Sequence, residues 1–165
     1  MMPNYQKLAE EFLNNLFNEV KQTNLCLRFK EIDHICFRTD SLEDYLRVCQ
    51  DFSDHELLIE SMVNGRLIST FKLNTPYQYQ NFQIPLIEIP APKVGKIVKR
   101  GFEHIELVVE DSFEDLMTKY HDYKLDLSGL GKKINPELEM ILNNGSIKFH
   151  HQSLNDVIHF EKGQS

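Results

Sequence analysis

Residues 31–38 read EIDHICFR and residues 102–109 read FEHIELVV. Both stretches carry an acidic residue, a histidine, an isoleucine and then β-prone residues, with the side-chain period of two expected of a strand. In the first, Ile32, His34, Cys36 and Arg38 share one face, and Asp33, Ile35 and Phe37 share the other. His104 takes the equivalent place in the second. A capping box follows each stretch, Ser41 with Asp44 and Ser112 with Asp115, opening helices that run to about Val48 and Tyr120. A chain that twice begins strand–helix reads as two related halves.

Working outward, residues 4–22 predict an amphipathic helix, with Leu8, Phe12, Leu13, Leu16, Phe17 and Val20 on its apolar stripe. ELLIESMV at 56–63 and RLISTFKL at 66–73 read as strands around Asn64-Gly65, a pair that favours a type I′ turn. TPYQYQNF reads as a loop, and IPLIEIP at 84–90 as a short strand that Pro85 and Pro90 mark as brief or peripheral. The second half predicts a short strand within 124–134, strands at 137–142 and 147–151 around Asn144-Gly145, and a last helix from Ser153 to Phe160. The expected organisation is one domain over 1–165. It comprises a helical preface (1–30), a first βαβββ module (31–90), a connector (91–101) and a second module with the final helix (102–160).

The composition sets outer limits. At 165 residues, 41% hydrophobic and 26% charged, the chain can bury about 70% of its unfolded surface in a single core. No run approaches the roughly 20 apolar residues of a bilayer crossing. The opening MMPNYQKLAEEFL lacks the basic and apolar regions of a secretory signal, so a cytoplasmic protein is expected. A formal charge of -7 argues against nucleic acid as a partner, because no net positive field gathers a polyanion. Cys26, Cys36 and Cys49 form no CxxC pair and read as reduced thiols.

Sorted by strand face, the polar residues suggest a site. His34 and His104 lie in the first strand of each half, while Glu88 and His150 lie in the last. Each sits opposite its strand's strongest hydrophobes, such as Ile87 and Ile89, or Ile147 and Phe149. Three imidazoles and a carboxylate suit a divalent ion such as Zn, Ni, Co, Mn or Fe. The plainer alternative is four hydrogen-bonded strand residues, since no short spacing such as HExxH ties them together. Arg38 shares the parity of His34, and Arg66 that of Lys72. On a concave face these cations would hold a carboxylate or phosphate; otherwise they are solvated hairpin charges. Tyr79, with Tyr77 and Phe82, would form either an aromatic rim to that face or packing over a barrel edge.

Taken together, DHICFR (33–38), MVNGRLISTFKL (62–73), LIEIP (86–90), GFEHIELVV (101–109) and IKFHH (147–151) resemble the bacterial YecM-like family. That family is similar to the vicinal oxygen chelate superfamily of glyoxalases, extradiol dioxygenases and bleomycin-resistance proteins. The resemblance implies an α+β fold in which paired βαβββ modules form a curved mixed sheet around a cleft, with an additional N-terminal helix. It implies metal ligands at His34, Glu88, His104 and His150. The last position is commonly glutamate in glyoxalase-like members and is histidine here. The implied function is a divalent-metal isomerase or lyase acting on a small, oxygen-rich anionic substrate, with Glu88 as a base or displaceable ligand. A non-enzymatic small-ligand binder and an extradiol-type dioxygenase are the alternatives. A monomer or a homodimer fits either.

Overall fold

The computed structural model describes residues 1–21 and 28–163, so Cys26 and the end of the first predicted helix lie outside the described residues. In chain order the elements are α1 (Tyr5–Lys21), β1 (Glu31–Arg38), α2 (Leu42–Asp51), β2 (Glu56–Val63), β3 (Arg66–Tyr79), β4 (Phe82–Pro90), β5 (Gly101–Val108), α3 (Phe113–Lys119) and β6 (Lys124–Asp126). A 3-10 turn at Ser128–Gly131 precedes β7 (Leu138–Leu142), β8 (Gly145–His150) and α4 (Leu154–Gly163). The serine half of each capping box forms: Ser41 and Ser112 accept the backbone N–H groups of Asp44 and Asp115, while Asp44 itself accepts from the Asp40 N–H.

The α+β class, the N-terminal helix and the repeated βαβββ pattern are present, but the expected curved sheet around a cleft is not. The eight strands form one open sheet in the order β2-β3-β4-β1-β5-β8-β7-β6, and its terminal strands β2 and β6 do not pair. The reason lies in the strand order. Each repeat pairs its first and last strands in parallel, β1 with β4 and β5 with β8. The first strands then meet antiparallel as a central seam. The two units therefore lie side by side, and their outer strands end far apart.

One face of the sheet carries the core. Tyr5, Ala9, Leu13, Leu16, Phe17 and Val20 of α1 pack with Tyr45 and Val48 of α2, Leu116 of α3, and inward strand residues such as Ile35, Ile87, Ile105 and Phe149. Burial of this kind is the main favourable term in folding. Leu8, read as part of the α1 stripe, is instead exposed at its edge. On the opposite face, α4 packs Ile158 and Leu154 against Leu58 and Leu86.

Two strand readings are corrected. β3 does not end at Leu73 but runs through NTPYQY to Tyr79, pairing with a β4 that is interior rather than peripheral. Pairing skips from Lys72↔Leu86 to Tyr77↔Ile84, leaving an irregularity in β3 opposite Pro85, the residue with no N–H to offer a ladder. The Asn64-Gly65 turn has both residues at positive φ (50° and 79°), as its hairpin requires.

Candidate metal centre

Strand alternation brings His34 on β1, Glu88 on β4, His104 on β5 and His150 on β8 to the face opposite the main core. All four line one pocket of about 470 Å³. Its walls come from the sheet, from α4 and from the 128–137 segment, so covering elements enclose it where sheet closure does not.

The centre of the pocket is a residue that the sequence reading passed over. Glu106, two positions beyond His104 and thus on the same face, is buried at 7% exposure. Its Oε1 lies 3.2 Å from Nε2 of His34 and 3.5 Å from Nε2 of His104. Its Oε2 is in close contact with Nε2 of His150. Glu137 Oε2 lies 3.5 Å from that same nitrogen, and Glu88 Oε2 lies 3.9 Å from Nε2 of His34.

Among the described residues three tight groups result, each with all donor atoms within 4.8 Å: His34–His104–Glu106, Cys36–Glu88–His104, and Glu106–Glu137–His150. The four expected ligands are gathered into one pocket but divided among these groups, with Glu106 joining two of them. Glu106 was legible, because parity with His104 is a sequence property; Glu137, read as the first residue of a strand at 137–142, lies just before β7 in the structure.

Outer contacts orient the rings. Asp33 Oδ2 lies 2.8 Å from Nδ1 of His34, and Glu103 Oε1 lies 3.3 Å from Nδ1 of His104. Both arrangements turn Nε2 toward the pocket. Strict alternation would put Asp33 on the other face; a pairing irregularity between Ile32 and His34 accompanies its turn toward the ring. The Nε2 atoms of His34 and His104 and both ring nitrogens of His150 are buried without a hydrogen bond of acceptable geometry. Buried polar atoms in proteins nearly always have a partner, and the groups nearest these Nε2 atoms are carboxylates, chiefly Glu106.

The electrostatics are tightly coupled. Burial would depress the basicity of His34, but Glu106 and Asp33 reverse this and hold it well above the usual imidazole value. Burial acts likewise on His104, where Cys36, Glu103 and Glu106 outweigh it. Burial would raise Glu106, yet His34, His104 and His150 hold it well below the usual carboxylate range. Glu103 is brought down to about 2 by His104 and Arg38, against the effect of burial. Lys148 stays cationic because Glu106 and Glu137 overcome its desolvation.

Of the four residues read as substrate contacts, Arg38 and Arg66 line the pocket and Lys72 and Tyr79 do not. Arg38 is held by Glu103 through two hydrogen bonds of 2.5 and 2.8 Å. In the cross-strand row, Leu86 separates His34 from Lys72. Because α4 packs on Leu86, Lys72 is left exposed beyond that apolar contact. Tyr79 is a core residue, 6% exposed, stacked on Phe17 at 5.1 Å.

The paired βαβββ units, meeting at an antiparallel seam beneath a polar pocket, give a fold that is known from other solved structures. A methylmalonyl-CoA epimerase in complex with methylmalonyl-CoA and NH4+ shares this fold at a TM-score of 0.54 and 13% identity, over 74% of this chain and 94% of that one. More specifically, the chain belongs to the YecM family, whose model, described as YecM protein, matches residues 4–161. Protein YecM of Escherichia coli (strain K12) is 28% identical, covering 98% of this chain and 99% of that protein. An uncharacterized protein of Haemophilus influenzae is 27% identical over 87% of this chain and 86% of its own length. A solved structural-genomics structure, Protein EC4020, is 27% identical with a TM-score of 0.77 and covers 98% of both chains.

Proposed function

We propose that this protein binds a divalent metal ion and uses it as an isomerase or lyase on a small, oxygen-rich anionic molecule. His34, Glu88, His104 and His150 would hold the ion, with Glu106 at their centre. One observation carries this reading: the buried Nε2 atoms of His34, His104 and His150 converge on one shared carboxylate, Glu106. Neutral imidazole nitrogen and carboxylate oxygen are good ligands for Zn and its neighbours.

When bound, the ion would supply Lewis acidity to a substrate oxygen. The chain's own groups would do the rest. Glu88, with a side chain 19% exposed, is the most open of the five residues to an incoming molecule. It would accept a proton from a carbon beside a carbonyl and return it to a neighbouring carbon. Asp33 and Glu103 would hold the two rings in position, and α4 would keep water from the proton-transfer end. The likeness in fold to methylmalonyl-CoA epimerase supports proton-transfer chemistry of this kind by analogy alone.

The test is elemental analysis of protein purified without chelator or immobilised-metal resin, followed by loading with Zn, Ni, Co, Mn or anaerobic Fe(II). One ion per chain supports the reading, and no ion from any source refutes it.

His34, His104 and Glu106 also make a two-histidine, one-carboxylate set, the arrangement found in non-haem Fe(II) oxygenases. This favours an extradiol-type dioxygenase as the second reading. It requires that the Fe(II)-loaded protein consume O2 when given a catechol.

A further inference from the structure

Apart from Arg66, the cations that line the pocket are each matched by a carboxylate. Arg38 is paired with Glu103, Lys132 with Glu137 at 2.8 Å, and Lys148 with Glu137 at 3.5 Å and Glu106 at 4.0 Å. Arg66, at the start of β3, has no ion pair among the described residues, and its Nε is buried without a hydrogen-bond partner. A guanidinium is a planar fork of donors that stays charged in proteins, and leaving a buried donor unmatched is costly.

Its setting is specific. Arg66 begins four residues along β3 from Thr70, the cross-strand partner of Glu88, and its charge interacts with Arg38, Cys36, Glu88 and Glu103. Strand parity puts Arg66 on the face of Thr70, and so on the Glu88 side of the pocket that both line. Ser61, Asn64 and Thr70 line the same wall and add small hydrogen-bonding groups. Burial, and then the neighbouring Arg38, both lower the basicity of Arg66, and an anion placed there would relieve both effects.

We propose that Arg66 sets the specificity of the site by receiving a carboxylate at the end of the substrate remote from the chelating oxygens. The substrate class is then a small acid with two functional ends: an oxygen pair for the metal, and a terminal carboxylate for Arg66. This rests on the metal reading given above. A carboxylate fits better than a phosphate dianion, because one guanidinium is unmatched and the other pocket cations already face carboxylates. The pocket, about 470 Å³, falls within the range of roughly 300–1,000 Å³ usual for small-molecule sites.

The experiment is calorimetric titration of the Zn-loaded protein with two matched pairs of α-keto acids. α-Ketoglutarate and α-ketoadipate carry a distal carboxylate; α-ketovalerate and α-ketocaproate have the same chain lengths without it. The wild type should bind at least one dicarboxylate roughly 10- to 100-fold more tightly than its partner, the scale of a charged hydrogen bond. Arg66→Ala, and Arg66→Met, which keeps the packed stem, should lose that preference while retaining full Zn content and monocarboxylate affinity. Equal affinities in the wild type, no binding of any of the four, or a preference that survives both substitutions would overturn the assignment. Full Zn content without the preference overturns this inference alone. A wild type that takes up none of Zn, Ni, Co, Mn or Fe(II) overturns the metal reading, and this one with it.

Discussion

Asp33 Oδ2 lies 2.8 Å from Nδ1 of His34 in a buried contact between adjacent residues. A carboxylate only accepts, so Nδ1 carries a proton toward Asp33 and Nε2 is the ring nitrogen turned to the pocket, where it faces Glu106. Both oxygens of Asp33 also accept the backbone N–H of Leu154, at 3.1 and 2.9 Å. One carboxylate thus orients a proposed ligand and anchors the first turn of the helix that covers it.

Replacing Asp33 should therefore weaken metal binding without removing a ligand. Partners of this kind are worth about 10- to 100-fold in metal affinity. Asp33→Asn should show a loss of that size in a Zn competition assay against a chromophoric chelator, with the far-ultraviolet spectrum unchanged. An affinity equal to wild type would show that the His34–Asp33 contact has no part in metal binding.

Gly145 tests the packing beneath the site. Its φ is +148°, and a Cβ there would lie 2.5 Å from the backbone oxygen of Glu103 and 2.8 Å from the ring of Phe12. A backbone oxygen in the central sheet cannot move aside as a side-chain tip can. Gly145→Ala should cost about 1–3 kcal/mol, lowering Tm by several degrees in a thermal melt. Gly131→Ala, where an added Cβ meets nothing within 4 Å, is the control expected to melt close to wild type.

The face of the site was largely legible, because alternation is a local property. The parity that put Ile87 and Ile89 in the core put Glu88 on the other side, and the same holds for Ile147, Phe149 and His150. Glu106 obeyed that rule and was missed because it was read only as part of a β-prone run. The open sheet was not legible. Strand order depends on pairings between distant segments, and a repeated pattern does not say whether its outer strands meet. Tyr79 was misplaced for a related reason: a segment rich in turn-forming and polar residues became strand because β4 offered it a partner and Phe17 of α1 a surface. The covering role of α4 rests on Leu154 and Ile158 finding Leu58 and Leu86, contacts no local pattern encodes.

Asp44 gives the pH dependence of stability at a point away from the metal ligands. It is buried, and Arg100 binds it at 2.9 and 3.0 Å while Arg47 makes a close contact. Burial would raise its pKa, but Arg100 and Arg47 bring it below the ordinary carboxylate value. A lowered folded pKa means the contribution is fully present above the unfolded value of about 3.9 and is lost as pH falls through the lower folded value. The difference in Tm between wild type and Asp44→Asn should be constant from about pH 7 to pH 5 and shrink below about pH 4. A difference that does not change with pH would mean that Asp44 acts through packing rather than charge.

The most direct measurement of the central claim is a Zn(II) titration of chelator-stripped protein by calorimetry, run side by side on the wild type and His104→Ala. His104 belongs to two of the three tight donor groups and is one of the four proposed ligands, so its loss should disable an ion held at either of those groups. The expected result is saturation at one equivalent per chain for the wild type, with no saturable binding for a His104→Ala protein that remains folded. No saturable binding by the wild type, or identical isotherms for the two proteins, would contradict a metal centre built from these residues.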